Sequence, residues 1–94
     1  MQPTDDMGLL REYARGHAEE AFATLVTRHI DLVYSAAFRV VGETHQAQDV
    51  AQMVFIELAR KPGSIRNPQA LAGWLYRTTR FTAVAVVRKE QRRQ

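Results

Sequence analysis

Ninety-four residues with no cysteine and a formal net charge of +3 make a chain of single-domain size. The composition excludes a disulfide framework and a thiolate zinc site, and 46% hydrophobic against 24% charged residues argues against wholesale disorder. The longest strictly apolar run is residues 83–87, far short of a membrane span. The N-terminus carries Asp5 and Asp6 and no apolar stretch of the kind a signal peptide needs.

The net charge conceals a division. Residues 1–59 hold four basic residues against nine acidic ones, −5, and residues 60–94 hold nine basic residues against Glu90 alone, +8. Such a basic segment would repel itself without a partner, and it suits a polyanion.

Four helices are predicted in chain order. The first runs over residues 4–15, with Thr4 as N-cap, two aspartates near its positive end and Gly16 as stop. The second covers residues 18–41. Phe22, Leu25, Val26, His29, Val33, Ala36, Ala37 and Val40 recur at helical spacing, and Ile30, Tyr34, Phe38 and Val41 add a second apolar strip. A helix apolar on that much of its circumference is expected at the centre of a bundle; Gly42 ends it. The third starts at Thr44 as N-cap, buries Ala47, Val50, Ala51, Val54, Phe55 and Leu58, and stops at Pro62 and Gly63. Residues 61–67 form a loop. Asn67 before Pro68 is a cap followed by a first-turn proline, which opens a fourth helix from Pro68 to about residue 88 or beyond. Its expected buried face is Leu71, Trp74, Leu75, Thr78, Thr82, Ala85 and Val86. The predicted fold class is all-α, a compact bundle of about four helices. There is no internal repeat and no low-complexity segment.

Catalysis finds little support. His17, His29 and His45 lack the i, i+4 spacing of a helical metal pair, and no H-E-x-x-H run is present. His29 falls on the core side of its helix and reads as a packed, hydrogen-bonded histidine. The glycines are scattered, and Ser35 and Ser64 lack a nucleophile-elbow context. We expect no enzyme activity, metal or cofactor.

Two other patterns carry more. On the third helix Asp49, Gln52, Met53, Ile56 and Arg60 share the side opposite the core. A solvated face is the ordinary fate of such a stripe, but Met53 and Ile56 are apolar where only polar residues are needed. An apolar patch ringed by a carboxylate, an amide and a guanidinium suits docking against another helix. On the fourth helix Trp74, Tyr76 and Phe81 are interleaved with Arg77 and Arg80, and a basic tail starts at Arg88. Cations that track phosphates and rings that stack on bases hold single-stranded nucleic acid. Trp74 is expected to be mostly buried, and a tyrosine or phenylalanine on a helix more often packs than serves as a base platform.

At this point the order of features resembles a known family. The run Asp49-Val-Ala-Gln52-Met-Val-Phe55-Ile-Glu-Leu58 is similar to the signature helix of bacterial RNA polymerase sigma factors, and Trp74-Leu-Tyr-Arg-Thr-Thr-Arg80 to the run that follows its loop. The short length and the W-L-Y-R run resemble the extracytoplasmic-function (ECF) group. The resemblance spans about residues 9–93 and covers sigma region 2. It implies that residues 1–94 are one domain of a longer protein, and that the second domain, a helix-turn-helix region 4 reading the −35 element, lies outside this chain.

The resemblance also implies roles. Asp49 and Gln52, with Met53 and Ile56 beside them, would dock on the clamp coiled coil of the polymerase β′ subunit. The loop of residues 61–69, with Lys61, Ser64, Arg66 and Asn67, would capture a flipped base of the promoter −10 element. Trp74, Tyr76, Arg77 and Arg80 would help melt the duplex and hold the non-template strand, and the tail from Arg88 would contact phosphates. Core RNA polymerase and promoter DNA are the implied partners, with an anti-sigma factor as a further candidate. The implied location is the bacterial cytoplasm. Three positions depart from the family pattern: Met53 stands where glutamate is frequent, and Phe81 and Ala85 stand where many members have asparagine and aspartate. Two rival readings need no polymerase: a basic helical module that binds nucleic acid alone, and a protein-interaction bundle whose basic tail is solvated.

Overall fold

The computed structural model describes residues 5–16 and 18–93. The element order is α1 (Asp6–Gly16), α2 (Glu19–Val41), α3 (Thr44–Arg60), a 3-10 turn (Pro62–Ser64) and α4 (Pro68–Arg93). No strand occurs among the described residues, and the all-α bundle expected from the periodicity is what forms. No helix is long and apolar enough to cross a membrane among the residues described.

Helix ends follow local chemistry, with two differences from expectation. Thr4 lies outside the described residues. Asp5 caps α1, its Oδ1 accepting from the Gly8 N–H at 2.6 Å. At α3 the cap is Glu43, not Thr44. The Glu43 carboxylate accepts from the backbone N–H groups of His45 at 2.9 Å and Gln46 at 2.8 Å. A carboxylate offers two acceptors and a charge to the positive helix end, so it displaces the hydroxyl one residue on, and Thr44 becomes the first helical residue. Gly42 adopts φ +68° and donates its N–H to the Phe38 carbonyl at 2.8 Å. This left-handed position closes α2 and favours glycine.

Helix α2 is central, packing against α1, α3 and α4. Its core residues are Ala21, Leu25, Val33, Ala36 and Ala37. The other expected apolar positions are partly buried, except Phe38, which is exposed. All six residues assigned to the buried face of α3 are buried. On α4 the buried line is instead Leu71, Leu75, Thr79 and Ala83, while Ala85 is exposed and Trp74, Thr78, Thr82 and Val86 are intermediate. Residues four apart advance about 40° round a helix, so the contact face winds along α4 as it crosses its neighbours. Thr79 can sit at zero exposure because its Oγ1 donates to the Leu75 carbonyl at 2.6 Å. Pattern alone gave no reason to choose it over its neighbours Thr78 and Thr82.

Polar ties complete the frame. Asp6 of α1 reaches two residues of α2, meeting His29 Nε2 at 2.8 Å and Arg28 at 3.2 Å. His29 is thus the packed, hydrogen-bonded histidine that its position suggested. Buried Ile65 anchors the loop between α3 and α4 to the core.

The Glu43 cap carries a pH dependence. The N–H groups of His45, then of Gln46, hold its carboxyl below the usual glutamate range, against a smaller opposing effect of desolvation. A folded-state pKa below the unfolded one stabilises the fold fully above the unfolded value and less as pH falls through the folded one. Glu43→Gln is expected to lower Tm at neutral pH, and the difference from wild type should shrink as the solution is acidified through the carboxylate range. Thermal unfolding followed by circular dichroism across that range checks this.

Candidate functional site

Packing fixes what α3 presents outward. With six residues buried on one side, its opposite side carries Asp49, Gln52, Met53, Ile56 and Arg60, all exposed. Met53 is 45% and Ile56 53% exposed, so the apolar patch is open. It is not one flat surface. Gln52 and Ile56 lean into an apolar groove shared with α2, lined also by Val26, Ile30, Tyr34 and Phe55. Met53 faces a different groove, toward α4, with Lys61, Ser64, Trp74, Thr78 and Phe81. The residues assigned to docking therefore straddle a ridge, and Met53 borders the side assigned to nucleic acid.

The loop after α3 is held by short-range bonds. Glu57 pairs with Lys61 at 3.1 Å and with Arg60 at 3.6 Å. The Ser64 hydroxyl donates to the Lys61 carbonyl at 2.8 Å. Asn67 Oδ1 accepts from the Ala70 N–H at 2.8 Å, so this oxygen caps α4 as the Asn-Pro pair indicates. Arg66 and Asn67 are exposed.

The residues assigned to DNA do not form one surface. Lys61, Ser64 and Trp74 share the α3–α4 groove. Trp74 is partly buried and packs against the core, so its ring is both a structural and a surface element. Arg80 and Arg88 lie on the outer side of α4 with Phe81, Val84, Ala85 and Arg92. Tyr76 is 38% exposed but projects from α4 roughly 160° round the axis from Trp74, at about 100° per residue, and does not join the tryptophan. Arg77 is exposed, with its guanidinium folded back over Gly73.

Phe81, one of the rings interleaved with Arg77 and Arg80 in the sequence, belongs with these residues although the resemblance gives it no role. It is 79% exposed, the most open large apolar side chain among those described, and it borders both the α3–α4 groove and the outer strip. The signal was its seven-residue spacing from both Trp74 and Arg88, which places all three on one line of the helix. No group of three or more His, Cys, Asp or Glu side chains suited to a metal ion occurs among the described residues.

The Sigma-70 region 2 family matches residues 25–93, a span holding most of α2 and all of α3, the loop and α4. The chain belongs to this family. It is similar to the ECF RNA polymerase sigma factor SigE of Mycolicibacterium smegmatis, 39% identical over 70 residues, covering 72% of this chain and 26% of that protein. It is 30% identical over 73 residues to the ECF RNA polymerase sigma factor SigW of Bacillus subtilis, covering 78% of this chain and 39% of that one. A third relative, the RNA polymerase sigma-H factor of Pseudomonas aeruginosa, is 36% identical over 78 residues, 83% of this chain and 40% of its own length. The chain thus spans well under half the length of these curated relatives. No solved structure matches it.

Gly73 offers a test of the α4 surface. A Cβ there would meet only the end of the Arg77 side chain, at 3.1 Å, which can swing aside. Gly73→Ala is expected to raise stability by about 0.5–1 kcal/mol through helix propensity and to move the Arg77 guanidinium outward. Urea unfolding measures the first effect, and a nuclear magnetic resonance shift at the Arg77 side chain reports the second.

Proposed function

We propose that this chain is a promoter-opening module: it docks on core RNA polymerase through α3 and holds the single-stranded non-template −10 element with the loop and α4. Residues 1–94 act as one region 2 unit, in the bacterial cytoplasm where the polymerase works. The observation that carries this reading is the double-sided placement of α3. One helix presents Asp49, Gln52 and Ile56 outward beside an apolar groove, while Met53 on its other flank joins Lys61, Ser64 and Trp74. A polymerase helix bound to the first surface would bring a strand of DNA along the second. Membership of the Sigma-70 region 2 family supports the same partners.

The roles follow from chemistry. Asp49 and Gln52 offer an acceptor and a mixed donor–acceptor to the β′ clamp coiled coil, with Ile56 supplying apolar contact, while Met53 lies across the ridge. Lys61, Arg66, Arg77, Arg80 and Arg88 track phosphates. Trp74 and Tyr76 offer aromatic rings on two different sides of α4, and the loop from Lys61 through Ser64 to Asn67 borders the base to be captured. Opening a duplex costs about 1.4 kcal/mol of stacking per step, and an extruded base a few kcal/mol more. A domain this small supplies only part of that, so its hold on the polymerase does much of the positioning. An anti-sigma factor is a further candidate partner.

Asp49→Ala combined with Gln52→Ala should weaken binding to a β′ clamp-helix fragment at least tenfold in calorimetry without changing the circular dichroism spectrum. Unchanged affinity would leave the polymerase-independent module as the better reading. Replacing Arg77 and Arg80 by alanine should flatten the salt dependence of binding to a −10 non-template oligonucleotide, by about 0.7 in log–log slope for each phosphate no longer neutralised. Absence of wild-type binding even at low salt with the clamp fragment present would favour the protein-interaction bundle.

A further inference from the structure

Phe81 has no structural work to do in this fold. At 79% exposure it buries little area, and a lone exposed phenylalanine would be unremarked on many proteins. Its surroundings set it apart. Along the outer side of α4 it sits with Val84 and Ala85 as an apolar floor, and with Arg80, Arg88 and Arg92 around them. None of these six residues is acidic, and among the described residues none of the three arginines is ion-paired. Three uncompensated guanidiniums beside an open ring form a surface complementary to an anion with flat, apolar faces.

The placement along the helix gives direction. Trp74, Phe81 and Arg88 recur every seven residues and so lie nearly on one line, each about 10 Å from the next at 1.5 Å per residue. Phe81 also lines the groove that holds Met53, Lys61, Ser64 and Trp74, where Glu57 is paired with Lys61. A strand leaving that groove along α4 therefore meets Phe81 next, and the arginines after it. A phenyl ring has neither donor nor acceptor, so it can stack on a base but cannot read its edge.

We propose that Phe81, with Arg80, Arg88 and Arg92, is a sequence-tolerant stacking site for one unpaired base of a single strand, beyond the base pocket of the loop. This rests on the reading of α4 as a single-strand surface, and it adds a contact that holds the strand without specifying it. The arginines take the flanking phosphates, and Val84 and Ala85 leave room for the sugar.

The test measures fluorescence anisotropy of the 94-residue chain, wild type and variants, at low salt. The probes are short oligothymidine, oligoadenosine and oligocytidine deoxynucleotides, and an abasic sugar–phosphate strand of the same length. Phe81→Ala should weaken binding to each base-bearing strand about 5- to 150-fold, the range for removing one aromatic–base stack. It should change binding to the abasic strand less than twofold. Phe81→Trp should bind at least as tightly as wild type. Arg80→Ala with Arg88→Ala should weaken all four strands alike. Since Phe81 is exposed, these variants should keep the wild-type circular dichroism spectrum and Tm. Equal weakening on base-bearing and abasic strands overturns the stacking role, as does a Phe81→Ala affinity within twofold of wild type on every strand; persistent arginine dependence would then leave the single-strand reading standing. Weakening confined to one base type overturns the tolerance. A wild-type chain that binds none of the strands, with a β′ clamp-helix fragment also present, removes this site and the single-strand reading together.

Discussion

Helix α3 has to bury one side completely, and the rest of the molecule arranges itself around that demand. Ala47, Val50, Ala51, Val54, Phe55 and Leu58 are all buried, with α2 on one flank and α4 on the other. At about 25 cal/mol per Å² of apolar surface removed from water, such burial outweighs any gain from turning the helix to hide Met53 or Ile56. Those two side chains therefore stay in solvent. The same orientation makes α3 a ridge between two grooves, so contacts made on its two flanks are mechanically joined by a single rigid element. Glu43 holds the start of this ridge through two backbone N–H groups, and Glu57 ties its end to Lys61.

The charge division acquires a spatial meaning on this frame. The boundary between the −5 and +8 segments falls at the end of α3, where the chain enters the loop. Buried Ile65 fixes that loop to the core, while Arg66 and Asn67 beside it remain exposed. Past the loop, α4 continues for 26 residues and carries its arginines out along a single rod. A flexible basic tail would forfeit conformational freedom on binding a strand; a helix presents the same charges at set intervals and forfeits less. The aromatic residues share this benefit, since Trp74 is held against the core and Phe81 rides on the same helix.

Much of the architecture was legible from residue spacing, for reasons particular elements make plain. The six-residue apolar pattern of α3 and the Asn-Pro start of α4 are local signals, and both were realised. The misjudged positions were those where two local candidates competed. Glu43 and Thr44 could each cap α3, and the carboxylate's two acceptors decided it. Thr78, Thr79 and Thr82 look alike in sequence, and only the crossing of α4 over its neighbours selects Thr79 for the core. Ala85 reads as core by composition but lies outside, because the contact face winds round the helix and has moved on by that point.

The sequence by itself determined the helical class, the buried face of α3, the basic second half and the residues whose order resembles a sigma region 2, because these depend on chemistry within a few turns of one helix. Only the tertiary structure decided how those residues are shared among surfaces. It set Met53 across the ridge from Gln52 and Ile56, and left Phe81 open between a groove and a strip of arginines. Those outcomes depend on the angles at which α2 and α4 cross α3, which are set by side-chain packing between segments far apart in the chain.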